Sequence, residues 1–287
     1  MSADIASATI GTMIAEATAQ LAAAGIAEAR REARLILALA LEIDPAMVLG
    51  YPERPVDDRS RARLDRLIAR RVKHEPFSRL KGTREFWSLD FALSPETLDP
   101  RPDSETLIAA ALAHLPDRRA PLRLIDFGTG TGCLLLALLS ELPNATGLGI
   151  DILPGAVETA RRNALSLGLS ARVQFSVGDW DRGIEGEADV ILANPPYIPS
   201  QEIPSLAPEV AAYEPRGALD GGPDGLDAYR ALAPATQRLL TRGGLACIEI
   251  GAGQAVPVAG LLSKSGLTIN EIRRDLSGLE RCLVATR

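Results

Sequence analysis

Asn194-Pro195-Pro196-Tyr197 follows directly on the apolar run Asp189 to Ala193, so it stands at the end of an expected strand. Two consecutive prolines fix the backbone there, which lets the Asn194 side chain and the Pro195 carbonyl point at one spot. Both groups are acceptors, and together they can take the two hydrogens of a planar amino group. Amide and adenine nitrogens are poor nucleophiles because their lone pairs are delocalised. Holding both hydrogens favours the pyramidal nitrogen that attack on an electrophile requires, which stabilises the transition state rather than the ground state. Tyr197 can wall such a slot and pack on the planar group. A rigid turn that merely closes a strand is the plainer alternative, and the neighbouring motifs weigh against it.

Those motifs suit an electrophile carried on a nucleoside. Asp126 precedes Gly128-Thr129-Gly130-Thr131-Gly132, a loop between an apolar strand and an apolar helix. Glycines there let a ligand approach backbone without obstruction by Cβ atoms. The spacing is Gly-x-Gly-x-Gly rather than the Gly-x-Gly-x-x-Gly of pyrophosphate binders, and the carboxylate of Asp126 favours a ligand with an ammonium group over one with phosphates. Asp151 closes the next strand, where a carboxylate can accept hydrogen bonds from both ribose hydroxyls; as a plain turn residue before Pro154 it would need no ligand. Asp179-Trp180 follows the third strand. There a carboxylate and an indole can meet the amino group and ring of adenine, although Trp180 alone would read as core packing.

The bulk composition narrows the class. Of 287 residues, 46% are hydrophobic and 24% charged, which supplies a sizeable core and fits two domains. The formal charge of -6, from 31 Lys and Arg against 37 Asp and Glu, argues against a protein that lives on nucleic acid. Cys133, Cys247 and Cys282 lie far apart in apolar contexts, and His74 and His114 share no ligand spacing, so no metal site is expected. Met1-Ser2-Ala3-Asp4 begins no signal-like pattern, and the apolar run from Cys133 to Leu139 is far short of the ~20 residues that span a membrane. A cytoplasmic protein with no membrane partner is expected.

The elements that must position these residues follow from periodicity. Apolar positions at helical spacing run from Ile5 to Leu21 and from Ile26 to Leu41, with Gly25 between them; Asp44-Pro45 opens a short helix, and another spans about Val56 to His74. That last helix carries Arg59, Arg61, Arg63, Arg66, Arg70, Arg71 and Lys73, either a solvated face or a docking surface for an acidic or nucleic-acid-bearing partner. Gly82 to Leu93 alternates, with Phe86, Trp87 and Phe91, and reads as a β-hairpin. From Leu122 onward strands alternate with helices, which implies a mostly parallel sheet covered on both faces. The division expected is 1–78 helical, 79–100 a hairpin linker, and 101–287 the α/β domain.

Several of these segments resemble the peptide chain release factor glutamine methyltransferases, a class I S-adenosylmethionine-dependent family. The likeness is carried by Arg84-Glu85-Phe86-Trp87-Ser88-Leu89, Leu98-Asp99-Pro100-Arg101-Pro102-Asp103-Ser104-Glu105, Asp126 to Gly132, and Asn194 to Tyr197. Tyr213-Glu214-Pro215, Ala218-Leu219, Asp224-Gly225-Leu226 and Glu249-Ile250-Gly251 extend it over nearly the whole chain. The resemblance implies a Rossmann-like α/β fold with a mostly parallel seven-stranded sheet and a small amino-terminal helical, substrate-recognising domain joined by a β-hairpin. It implies that Gly128 to Gly132 cradle the methionine part of S-adenosyl-L-methionine, that Asp151 holds the ribose, and that Asp179 and Trp180 flank the adenine. Asn194, also beside the cofactor, would hold a glutamine amide with Pro195, Pro196 and Tyr197, the partner being a release factor whose Gly-Gly-Gln glutamine becomes methylated at N5. Phe127 stands where many relatives have an aliphatic residue. Arg101 and Asp103 can serve the site or the structure, Asp103 as N-cap of the helix near Ser104; Glu214 and Glu249 can line the substrate mouth or tie down a loop.

Two other readings share parts of this pattern. An adenine-N6 methyltransferase of DNA or RNA uses the same Asn-Pro-Pro-Tyr logic but needs a basic recognition region and a base-flipping apparatus. A non-catalytic cofactor-binding or ribosome-docking module would have no need of the Asn194 slot.

Overall fold

Alanine-rich amphipathic segments build the first part of the chain. The computed structural model describes residues 8–287, so the expected helix start at Ile5 lies outside the described residues. Helix α1 (Ile10–Ala23) buries Ile10, Met13, Ala17 and Leu21, one stripe of a 3.6-residue period. Thr9 and Thr12 cap it reciprocally: the Thr12 N–H donates to Thr9 Oγ1 at 3.3 Å and the Thr9 N–H to Thr12 Oγ1 at 2.9 Å. Helix α2 (Ala29–Leu41) packs Ala33, Ile36, Leu37 and Ala40 inward, and α3 (Pro45–Gly50) starts where Asp44 accepts from the Ala46 N–H at 2.7 Å. Asp57 caps α4 (Asp58–Arg71), accepting from the Ser60 N–H at 2.9 Å. A further helix, α5 (Phe77–Lys81), was not expected; five residues are too few for periodicity to register, and Gly82 at φ +81° closes it. On the basic helix, Arg71 is buried against Glu32, Arg63 and Arg70 pair with Glu42 and Glu75, and Arg59, Arg61 and Arg66 remain exposed. These helices form one unit ending at Gly82.

The second unit, Thr83–Arg287, opens with strands β1 (Thr83–Phe86) and β2 (Leu89–Ala92). Trp87 and Ser88 turn between them with φ of +53° and +58°, as a two-residue hairpin turn requires. Phe86 and Phe91 meet edge to face and are buried in this unit's core, so the hairpin is packed into the α/β unit along its length. Helix α6 (Glu105–His114) follows. The alternation then runs β3 (Arg123–Phe127), α7 (Cys133–Glu141), β4 (Thr146–Asp151), α8 (Pro154–Ser166), β5 (Val173–Val177) and β6 (Ala188–Ala193). A long connection with the single turn α9 (Pro208–Ala211) leads to α10 (Asp227–Leu239), β7 (Leu240–Glu249), α11 (Ala255–Lys264), β8 (Thr268–Arg274) and β9 (Glu280–Thr286).

Seven strands form one sheet in the order β5-β4-β3-β6-β7-β9-β8, parallel except that β9 runs against both its neighbours. This is the Rossmann-like class I methyltransferase architecture. The central strands β3 and β6 are buried on both faces, which explains their unbroken apolar runs. One core lies under α6, α7, α8 and the hairpin, and the other under α10 and α11. No helix of the described residues is long and apolar enough to cross a membrane.

Strand order and register decide where chemistry can sit. The winding direction reverses between β3 and β6, which opens a crevice beyond their carboxyl ends. Phe127 is level with Ile150 on β4 and with Ala193 on β6, and Ala193 is level with Ile248 on β7. Gly128, Asp151, Asn194 and Glu249 therefore emerge at the same edge.

Candidate active site

The glycine loop is built from backbone conformations that side chains resist. Gly128, Gly130 and Gly132 have φ of +67°, +55° and +81°. The three do not share one task. A Cβ on Gly132 would lie 3.1 Å from Leu136 Cδ1 and 3.3 Å from Ala160 Cβ, so this residue serves the close packing of helix on sheet. Gly128 faces open space, a Cβ on Gly130 would meet only the Gly128 carbonyl at 4.0 Å, and both border a cavity of about 350 Å³ at the strand ends. Thr129 and Thr131 line it too, as do Asp151, Asp179, Trp180, Asn194 and Pro196. Sequence reasoning gave no site role to Glu96, Leu98, Ser104, Gly217 or Ala218, which also line it. They come from irregular segments before α6 and after β6, where no periodicity signals position.

Asn163, also missed, stitches the loop in place from the buried side of α8. Its Nδ2 donates to the Thr131 carbonyl at 2.9 Å and to Ala92 at 3.1 Å, while its Oδ1 accepts from the Ala92 N–H at 2.9 Å. A lone asparagine within a helix carries no sequence signal of this kind.

Asp151 lines the cavity, and a second carboxylate, Asp126, is buried near it. Asp126 Oδ2 accepts from the Thr129 hydroxyl at 2.6 Å, and its Oδ1 has no hydrogen-bond partner among the described residues. Burial pushes its pKa up to about 7, with the Thr129 bond opposing and the neighbouring Asp151 charge adding to the rise. Asp151 accepts the Gly130 N–H at 2.8 Å on Oδ2 and the Leu153 N–H at 3.0 Å on Oδ1. Burial raises its pKa against those backbone bonds. Each oxygen keeps lone-pair capacity for a further donor. Asp151 thus braces the glycine loop as well as facing the cavity.

Trp180 is half-buried, with φ of +53°, and its ring stands edge to face on Phe127, centroids 6.2 Å apart. The bulky Phe127 therefore supports the indole at the cavity wall. Asp179 beside it pairs with the exposed Arg182 at 3.2 Å.

The proline turn is held from behind. Asn194 Nδ2 donates to Ser104 Oγ at 3.1 Å, which leaves Oδ1 as the acceptor not engaged by protein. Pro196 lines the cavity, whereas Pro195 is buried and neither it nor Tyr197 contributes to the wall. The Tyr197 carbonyl accepts from Gln254 Nε2 at 2.9 Å, and its hydroxyl donates to Glu249 Oε1 at 3.4 Å. Burial and the Glu249 charge push the Tyr197 pKa up to about 12. Glu249 is itself buried, and burial pushes its pKa up to about 7, with Ser104, Arg281 and Tyr197 favouring the charged form and Asp103 opposing it.

The residues left open by sequence now have positions. Glu214 ties down the long connection, accepting from the Asp99 N–H and from Arg101 Nη2, each at 3.1 Å. Asp103 does not cap α6. It pairs with Arg281 at 3.6 Å, and the helix begins through a tight turn over Pro102–Ser104 with no side-chain cap.

Comparisons with known proteins agree with this architecture. A family model described as the PrmC N-terminal domain matches residues 12–82, and one for a methyltransferase domain matches residues 119–257. The release factor glutamine methyltransferase of Rhodospirillum rubrum is 50% identical over 278 residues, covering 97% of this chain and 85% of that protein. The protein of the same name from Cereibacter sphaeroides is 43% identical over 270 residues, covering 94% and 95%. Among solved structures, the ribosomal protein L11 methylase from Lactobacillus delbrueckii subsp. bulgaricus aligns with a TM-score of 0.50 at 20% identity, over 68% of this chain and 83% of that one, a likeness of fold. The chain belongs to the release factor glutamine methyltransferase family.

Proposed function

We propose that this enzyme transfers a methyl group from S-adenosyl-L-methionine to the side-chain amide nitrogen of the glutamine in the Gly-Gly-Gln motif of a release factor, giving N5-methylglutamine. The observation that carries this reading is Asn194: its amide nitrogen is tied to Ser104, so an oxygen acceptor is left beside the cavity that the glycine loop and Asp151 border.

The residues fit the cofactor. The orphaned, buried Oδ1 of Asp126 suits a ligand ammonium, and the free lone pairs of Asp151 suit ribose hydroxyls. Gly128 to Thr131 would hold the methionine part, with Gly132 keeping the loop's packing, and Asp179 and Trp180 would flank adenine. When bound, S-adenosyl-L-methionine supplies a methyl group made electrophilic by its sulfonium. Asn194 and the Pro195 carbonyl accept the two amide hydrogens of the substrate glutamine and favour the pyramidal nitrogen. Preorganised acceptors of this kind act where charge develops and need no rearrangement during the reaction. Pro196 lines the slot, Tyr197 braces the turn through Glu249 and Gln254, and glycines flanking the target admit a chain that bulky neighbours would block.

The helical unit up to Gly82, with the exposed Arg59, Arg61 and Arg66, is the part we assign to recognising the protein substrate. A cytoplasmic location fits a substrate that acts in translation. The test is incubation with radiolabelled cofactor and, separately, a purified release factor, its Gln→Ala variant and adenine-rich DNA. Label in the factor alone is the expected result. Equal label in the variant, or label only in DNA, would reject it in favour of adenine-N6 methylation.

A further inference from the structure

The Asn194 amide can present either its oxygen or its NH₂ group to the cavity, and only the oxygen can hold an amide hydrogen of the substrate. Ser104 alone does not decide between them. A serine hydroxyl can accept from Asn194 Nδ2, or it can donate to Oδ1 after the amide has turned over. The choice depends on where the serine proton is drawn.

Glu249 lies in the position to draw it. Register places Ala193 level with Ile248, so the residues that follow, Asn194 and Glu249, leave adjacent strands side by side. Glu249 is 2% exposed and Ser104 2% exposed, so water does not compete for either. The Tyr197 hydroxyl donates to Glu249 Oε1 at 3.4 Å, while Oε2 is buried with no hydrogen-bond partner among the described residues. Ser104, bonded to Asn194 at 3.1 Å, is thereby brought to the same strand ends as Glu249, where its hydroxyl favours the charged carboxylate as Arg281 does. An unsatisfied buried acceptor beside a hydroxyl is a strong claim on that hydroxyl's proton. Tyr229 fixes the backbone of the same residue, its hydroxyl donating to the Glu249 carbonyl at 2.9 Å, so the carboxylate is held in place.

We infer that Ser104 and Glu249 are positioning residues that set the polarity of a chain running from Asn194 Nδ2 to Ser104 Oγ to the Glu249 carboxylate. The chain keeps Asn194 Oδ1 turned toward the substrate. In Glu249→Gln, the new NH₂ group can donate to Ser104 Oγ, which frees the serine proton for Asn194 Oδ1 and turns the amide the wrong way. In Ser104→Ala the amide loses its anchor and samples both orientations. The inference rests on the reading of Asn194 as the acceptor for the substrate amide.

The experiment measures single-turnover rates of the full-length enzyme on a purified release factor for Ser104→Ala, Glu249→Gln and Asn194→Ala, and for each of the first two combined with the third. Cofactor affinity and melting temperature are recorded alongside. Ser104→Ala and Glu249→Gln each lower the rate by about 10–100-fold, with cofactor affinity and KM moved less than about threefold. Neither causes a further loss once Asn194 is alanine, because residues acting through one group are not additive. A purely structural role would instead lower cofactor affinity and melting temperature along with the rate, or add its full loss to that of Asn194→Ala. Either outcome overturns the inference, as do near wild-type rates for both single variants while Asn194→Ala is slow. A wild-type rate for Asn194→Ala is a different failure: it removes the Asn194 reading itself, and this inference with it. Should Glu249→Gln not fold, Ser104→Ala, which deletes one oxygen, decides alone.

Discussion

The helical unit and the α/β unit bury their charges differently. In the helices the buried Arg71 is neutralised by Glu32, and the basic residues at the surface either pair or face solvent. In the α/β unit Asp126 and Glu249 are both buried, each keeps an oxygen without a partner, and both have pKa values near 7. A fold gains nothing from an unsatisfied buried carboxylate; the arrangement makes sense where a ligand or a neighbouring hydroxyl is to be oriented. Chemistry therefore belongs to the second unit, and recognition of the protein substrate by the first is the proposal that goes with it.

The sharpest way to break this division is Asn194→Ala. Turnover should fall by about 10²–10³-fold while cofactor affinity is kept, since the lost hydrogen bond matters most as the amide nitrogen pyramidalises. Single-turnover kinetics with calorimetry on the same preparation checks it. Next in size, removing the chain up to Gly82 should cut kcat/KM on an intact release factor by about 10–100-fold with cofactor affinity unchanged. Equal activity of the full and shortened enzymes would take recognition away from the helices.

Asp151→Ala should weaken cofactor binding by ~1.5–3 kcal/mol, the range for a hydrogen bond to a charged group, with the loss read by calorimetry on protein shown by circular dichroism to be folded. The smallest effect expected is on stability. In the folded protein Asp126 holds its proton until about pH 7, whereas in the unfolded chain it ionises near 3.8. Its burial therefore costs stability progressively as pH rises from about 4 to about 7, and the whole cost is present above that. Asp126→Asn should raise the melting temperature of the ligand-free enzyme more at pH 8 than at pH 4, while weakening the cofactor. A gain equal at both values would show that Asp126 is already compensated.

What could be read from residues alone was local. Strand β3 running into three glycines, Asp151 at a strand end and the prolines after β6 each announce themselves within a few positions, because period and glycine or proline chemistry are short-range signals. The roles that escaped depend on register between distant segments. Glu249 meets Tyr197 because β7 aligns with β6, Ser104 meets Asn194 across the site, and Asn163 reaches the glycine loop and the hairpin at once. Gly132 looked like its two partners in the loop and differs only because Leu136 and Ala160 pack against it. The short helix Phe77–Lys81 fell below the length at which periodicity is detectable.

The central claim is that the slot at Asn194 methylates a primary amide presented by a protein. Tandem mass spectrometry of a release factor before and after incubation with the purified enzyme and S-adenosyl-L-methionine tests it most directly. One added methyl group on the side-chain nitrogen of the Gly-Gly-Gln glutamine, absent when Asn194→Ala replaces the wild-type enzyme, is the predicted result. An unmodified glutamine, or a methyl group placed on another residue by an active enzyme, would contradict it.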